Sequence, residues 1–394
     1  MTPIRVAVVA DLVSESWHSM DLVAEMLLRF LQEQDAAPVQ PVLVRPAFGP
    51  RLPRLRRGVP STAERIVHRF WDYPRWLAQH RPDAELFHVV DHSYAHLAHV
   101  LPPGRVVVTC HDVDAFLPLV APSATASRLP RLLVRRVLTG LQRAALVACV
   151  SQATRNALAG HALVPEERLV VIPNGTHPSC RPDHDPEASR RLAACLPAEN
   201  GRVDLLHVGS TAPRKRIEFL LDVFAALQRR RPELRLLRVG GLTRQQRARA
   251  DALGVSAHVI ELPMLDREVL AAAYRHAALV LLPSSREGFG LPLIEALACG
   301  TPVVGSDIDV LREVGGDAAE YCPLDDVSAW CVTIERLLQE REAGGEVWQM
   351  RRRRAIARGA AFSWQTTATE LALQYAALAR PAVRLRSPDG VLAR

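Results

Sequence analysis

The chain has 394 residues, 48% of them hydrophobic and 23% charged, with a formal net charge of +7. That length exceeds one ordinary core and predicts two domains. No apolar run reaches the roughly 18 residues of a membrane span. The seven cysteines are scattered, odd in number and without a CxxC pair, which predicts reduced thiols in a cytoplasmic protein rather than a disulfide framework.

The opening MTPIRVAVVADLVSES places a short apolar run directly before Asp11, and predicts a first buried strand over 4–10, not a signal peptide. A helix is expected over 19–34. Residues 45–81 carry nine arginines against Glu64 and Asp72, so the whole positive excess sits there. Within that stretch Ser61 and Glu64 have capping-box spacing. Ile66, Phe70, Tyr73 and Leu77 recur at helical intervals with Val67 and Trp71 beside them, and Pro74 is expected to kink or end the helix. Arginine with Trp and Tyr on such a helix suits peripheral docking on an anionic inner membrane face or a lipid-linked acceptor; the plainer reading is a core-packed helix with a solvated arginine face.

Strands are then expected at 86–90, 105–110, 145–150 and 169–173, and a second set at 203–209, 234–240, 258–262, 277–283 and 302–306. They are continuously apolar, as parallel strands covered on both faces are. Helical stretches at 216–229, 268–276 and 292–298 alternate with the second set. The pattern predicts an α/β chain of two doubly wound Rossmann-like domains facing across a cleft. A polar, proline-bearing stretch at 177–191 separates the halves. The expected division is 1–180, a linker at 181–200, a second domain at 201–361, a C-terminal helix at 362–380 returning to the N-terminal domain, and a tail at 381–394. Ser363 is the candidate cap of that last helix, and the RRRR run at 351–354 reads as a solvated face.

SREGFGLPLIEALACGTPVV, 285–304, holds Glu287 and Glu295 on either side of a Gly-Phe-Gly turn. Gly288 and Gly290 permit a tight turn and close backbone approach, and Pro292 suits a first helical turn. The amides of Phe289, Gly290, Leu291 and Leu293, with the helix dipole behind them, form an expected anion site suited to a diphosphate. Carboxylates are acceptor-only groups, so Glu287 and Glu295 suit hydroxyl-bearing partners on its two sides. A diphosphate between two polyols is a nucleotide sugar.

Lys215 is the only lysine among the 49 basic residues, and it stands between Arg214 and Arg216. A compact ammonium in so arginine-rich a chain points to a task a guanidinium cannot perform.

The 285–304 stretch resembles the E-x7-E signature of retaining glycosyltransferases of GT-B fold, family four, and the continuation through residue 326 is similar too. The resemblance implies that Glu287 lies near the donor sugar and Glu295 binds the ribose. VGSTAPRKRIEFLL, 208–221, resembles the family's phosphate segment; it implies that Arg214 and Lys215 contact the diphosphate, with Gly209 and Ser210 lining it. Many members carry arginine where this chain has Ser210. His-Asp after the strand at 105–110 resembles the family pattern and makes His111 a donor-sugar contact. Ser151 and Thr154 read as a strand-to-helix cap, and Asn174–Gly175 as a turn. The family's glycine-rich loop after the first strand is absent. Trp17, His18, Asp91 and His92 are the acceptor candidates. Family mechanism implies front-face attack, with the leaving phosphate taking the acceptor's proton.

Asp112 and Asp114 form a lone D-x-D, too weak a signal for a metal site, and the cationic pair supplies the equivalent charge. No metal and no resident cofactor are therefore expected, only the nucleotide-sugar donor and a sugar or lipid-linked acceptor. Two alternatives stand beside this reading: a phosphorylase of the same fold with pyridoxal phosphate on Lys215, and a non-catalytic protein binding nucleic acid or membrane through its basic patch. The absence of any nucleic-acid recognition module argues against nucleic acid as a partner, and the lack of G-x-G-x-x-G after the first strand disfavours a nicotinamide dehydrogenase.

Overall fold

The computed structural model describes residues 2–15, 17–49, 62–120, 128–199 and 201–379. Ser61, most of the arginine-rich run before it and the tail at 381–394 lie outside the described residues.

Two six-stranded sheets are present. The first contains β1 (Ile4–Val9), β2 (Val39–Val44), β3 (Leu86–Val89), β4 (Val106–Cys110), β5 (Leu146–Cys149) and β6 (Leu169–Val171), ordered β2-β1-β3-β4-β5-β6. The second contains β7 (Val203–Val208), β8 (Leu234–Val239), β9 (Val259–Leu262), β10 (Leu279–Leu282), β11 (Val303–Ser306) and β12 (Glu320–Cys322), ordered β12-β11-β10-β7-β8-β9. Pairing is parallel throughout the second sheet, and β1 runs parallel to both of its neighbours. Both orders are doubly wound, so each sheet has a switch point: between β1 and β3 in the first, between β7 and β10 in the second. Ligands of such sheets bind beyond the carboxyl ends of the strands at that place.

The continuous apolar runs are explained by burial on both faces. Along β7, β8 and β10, Leu205, Leu236, Leu279 and Leu281 enter one apolar cluster, while Leu206, Leu237, Val280 and Leu282 enter the other. Side chains alternate across a strand, so a strand with helices on both sides has no solvent face.

By internal contacts the described residues form two compact units. One comprises the described residues within 1–108, 136–147 and 368–379; the other comprises those within 109–135 and 148–367. The segment expected as a linker carries a helix, Pro186–Ala193, capped by Asp185. Its Ala188 and Leu192 join the core of the second unit. The last helix, Trp364–Ala379, starts at the expected Ser363 cap, whose Oγ accepts from Thr366 N at 3.1 Å. From Ala368 onward it belongs to the first unit, where the buried Tyr375 meets His88 of β3 through its hydroxyl and its ring edge. The expected return of this helix to the N-terminal domain is thus observed.

Pro74 does not end its helix. Residues 62–79 run as Thr62–Val67, a π-turn at His68–Asp72, and Tyr73–Gln79. The wider turn falls where proline has no amide to give, and so absorbs its missing hydrogen bond. Tyr73 and Leu77 are buried as predicted, whereas Ile66 and Trp71 are exposed. Among the described residues no helix is long and apolar enough to cross a membrane. All seven cysteines are free thiols.

Candidate functional site

In the second unit the switch point is built from two loops, 209–216 after β7 and 283–290 after β10. They are joined backbone to backbone, Ser285 N donating to Arg214 O at 2.8 Å. The first loop tightens into a 3-10 turn at Pro213–Lys215, and Arg216 in the left-handed region (φ 52°) leads into the helix Ile217–Gln228. This geometry turns Lys215 inward, and its side chain is only 9% exposed. The second loop ends at Gly290, whose φ of 89° favours glycine, and the helix Leu291–Ala298 starts there with Pro292 in its first turn.

The loops converge on Glu287. Lys215 Nζ donates to its Oε1, and Arg214 Nη1 donates to its Oε2 at 3.1 Å. Burial alone would raise the Glu287 carboxyl, but the Lys215 and Arg214 charges outweigh burial and hold it below the usual carboxylate range. Arg214 also donates to Arg286 O at 3.1 Å and lies 3.5 Å from Asp114 Oδ2. Asp114 pairs with Arg286 as well, and Asp112 Oδ1 accepts from Asp114 N at 2.9 Å. Asp114 of the D-x-D pair therefore engages two arginines. Burial and the Asp112 charge nevertheless keep the Asp114 carboxyl raised.

Gly288 is fixed by a close approach. A Cβ there would lie 1.6 Å from His111 O, so at this point the loop after β10 lies directly against the backbone of the loop after β4. Ser151 Oγ and Thr154 Oγ1 donate to Gly288 O at 2.8 and 3.3 Å. Ser151 does cap the helix Gln152–Gly160, accepting from Thr154 N, as the sequence suggested. Its second bond to Gly288 O was not foreseen. Nor was Glu313, whose two oxygens accept from Gln152 N and Ala153 N at 2.6 and 2.9 Å.

The start of this helix offers fewer amides than expected. Leu293 N donates to Gly290 O at 2.8 Å and Pro292 has no amide, which leaves Phe289, Gly290 and Leu291 to offer N–H groups. Gly209 packs against the clamp: a Cβ there would lie 3.5 Å from Lys215 Cε. Ser210 is exposed beside it. Glu295 is one turn inside the helix and 4% exposed, with Oε2 accepting from Tyr274 Oη at 2.8 Å. Burial pushes its carboxyl up. His111 is buried at the end of β4.

The acceptor candidates lie in the first unit, around the switch point between β1 and β3. Asp91 directly follows the β3 run and accepts from Ser93 N and Ser93 Oγ at 2.8 and 2.6 Å. His92 Nδ1 lies 3.2 Å from its Oδ1. Trp17 and His18 are exposed at the start of the helix His18–Glu33. The structure adds residues that sequence reasoning missed. Asp11 is 2% exposed, and burial, with Asp91 next to it, holds its carboxyl well above the usual range. Arg69 lies over the rings of Tyr94 and Trp17, at 4.5 and 5.5 Å from their centroids. The available signal was positional: Asp11 follows β1 as Asp91 follows β3. Among the described residues no group of three His, Cys, Asp or Glu side chains is placed to hold a metal.

Residues 193–356 match the family Glycosyl transferases group 1, and residues 23–180 match Glycosyltransferase Family 4. The O-antigen chain mannosyltransferase B of Escherichia coli is 31% identical over 281 residues, covering 68% of each chain. The D-inositol 3-phosphate glycosyltransferase of Nocardia farcinica is 34% identical over 224 residues, covering 54% of this chain and 48% of that one. The chain thus spans about half the length of that relative. Among solved structures, Anabaena HepE in complex with UDP and glucose superposes with a TM-score of 0.70 at 17% identity, over 95% of this chain and 99% of that one. The fold is therefore the GT-B fold, and the chain belongs to glycosyltransferase family 4, the group 1 glycosyl transferases.

Proposed function

We propose that the chain is a retaining hexosyltransferase that moves a sugar from a nucleoside-diphosphate sugar to a hydroxyl group of a sugar or lipid-linked acceptor. The observation that carries this reading is the clamp of Arg214 and Lys215 on Glu287, at a switch point beside a helix N-terminus. Two cations and the amides of Phe289, Gly290 and Leu291 suit a diphosphate whose charge grows as it leaves. In this reading Glu287 orients both cations and meets the donor sugar with His111, and Glu295 meets the ribose through its Oε1. Gly209, Ser210 and Gly288 supply backbone against the phosphates. HepE, bound to UDP and glucose in its own structure, and the family membership support the donor class. The acceptor belongs to the first unit, around Trp17, His18, Asp91 and His92.

A thermal-shift panel of UDP, GDP, ADP and their common sugar conjugates tests the reading. Stabilisation by one base, followed by release of that diphosphate in the presence of an acceptor, is the expected result. No stabilisation by any of them, in folded protein, would defeat the donor-site assignment.

A further inference from the structure

Arg238 is a strand residue of β8 and is completely buried. Its guanidinium forks under the phosphate loop: Nη2 donates to Ser210 O at 3.1 Å and Nη1 donates to Val239 O. Among the described residues its Nε has no hydrogen-bond partner, and its two hydrogen bonds both go to carbonyl oxygens rather than to a carboxylate. The acid that faces it electrostatically is Glu261. Glu261, however, accepts from Arg247 Nε and Nη2 at 2.7 and 2.8 Å and from Leu242 N at 2.8 Å. Contact with the clamp is close and nearly without side chains. A Cβ on Gly240 would lie 2.1 Å from Gly209 O and 3.0 Å from Arg238 Nη1. A Cβ on Gly209 would in turn lie 3.5 Å from Lys215 Cε and 3.4 Å from His207 Cε1. His207 is itself fully buried, and burial, with Arg238 and Lys215 nearby, holds its imidazole neutral.

A buried guanidinium bonded only to carbonyl oxygens is costly, because nothing of opposite charge replaces the water it has lost. Lys215 and Arg214 are already matched by Glu287 and Asp114. Arg238 is the cation here without a direct carboxylate contact, and it sits behind the loop on which those two residues stand. We infer that Arg238 is a positioning and charge-supplying residue of the donor site, a third cation whose partner is the diphosphate of the bound nucleotide. The inference rests on the donor-site reading above and deepens it. Arg238 does not touch the ligand. It holds the carbonyl of Ser210 down and away from the phosphates, and it sets a fixed positive charge beneath the loop that a low-dielectric interior does not screen.

The test is calorimetric titration of wild type, Arg238→Met and Arg238→Met/Ser210→Arg with UDP, GDP and ADP and with uridine, guanosine and adenosine, together with the melting temperature of each ligand-free protein. For the base that binds wild type, Arg238→Met is expected to weaken the diphosphate ten- to thirtyfold, leave the nucleoside unchanged and reduce the salt dependence of diphosphate binding. Ligand-free Arg238→Met is expected to melt no lower than wild type, since a buried unpaired charge has been removed. Ser210→Arg, which returns a cation at the exposed face of the loop, is expected to recover most of the lost affinity. An unchanged diphosphate affinity, an equal loss for nucleoside and diphosphate, or a variant that no longer folds would each overturn the inference in favour of a structural guanidinium. Wild type that binds none of the three diphosphates would instead defeat the donor-site reading itself.

Discussion

Lys215 donates its ammonium proton to Glu287 across 72 residues of sequence, from the loop after β7 to the loop after β10. With 9% side-chain exposure and its ammonium held by Glu287, Lys215 sits in an enclosed place that a longer, planar head group would have to distort. Lys215→Arg is therefore expected to lower affinity for the nucleoside diphosphate nearly as far as Lys215→Ala does. Each corresponds to about 1.5–3 kcal/mol for a charge-assisted contact. Titration of both variants checks this; Lys215→Arg binding like wild type would show that only charge matters there.

Glu287→Gln keeps the shape of the side chain and removes its charge, leaving Lys215 and Arg214 without their shared partner. Turnover should fall by about 10²–10³ fold, and neutral-pH stability by about 3 kcal/mol, the typical cost of breaking a buried pair. The Glu287 carboxyl is held below its ordinary value in the folded protein. Its contribution is therefore complete above the ordinary value near 4.5 and is lost as pH falls through the folded value. Melting curves of wild type and variant should accordingly converge on acidification; a gap that stays constant into acid would exclude the ionic origin.

Gly288→Ala should be as damaging as losing a catalytic group, although it adds one methyl group. The new Cβ would fall 1.6 Å from the His111 carbonyl oxygen, and backbone cannot move aside as a side chain can. A loss of about 3 kcal/mol is expected, at the upper end for overpacking, together with loss of transfer. A normal melting temperature for this variant would mean that the two loops separate freely.

Asp11→Asn should stabilise the protein at neutral pH. Its carboxyl is raised by burial and by Asp91, so the fold favours the protonated form. That preference stabilises the fold fully below the ordinary carboxylate value and is lost as pH rises through the folded value. The variant's advantage should grow across that interval and level off at roughly 1–3 kcal/mol. A destabilised variant at pH 7 would show that the charged Asp11 is matched by Arg69.

The central strands and the Glu287 loop were legible because their signals are local: unbroken apolar runs, paired glycines and a proline at a helix start. Two edge strands were not. β2 carries Pro41 and exposes Val42 and Leu43, and it reads as a loop because an edge strand need not be apolar on both faces. β12 has only three residues, beginning with Glu320. The site was legible where residues of one loop act together, as Arg214 and Lys215 do. It was not legible where a residue acts through distant chain. Arg238 sits in a run read with the other strands as continuously apolar, and nothing in LRLLRVG tells a buried guanidinium from a solvated one. The Tyr274 bond to Glu295 and the Ser151 bond to Gly288 likewise depend on which helices the topology brings together.

The union of Tyr375 with His88 spans 287 of the 394 residues. A ribosome releases the first sheet long before it makes the helix that covers it. The nascent N-terminal unit must wait with the His88 side of its sheet incomplete while the entire second unit emerges and folds. The order of completion is therefore the reverse of the order of synthesis: the half of the protein made first is the half finished last.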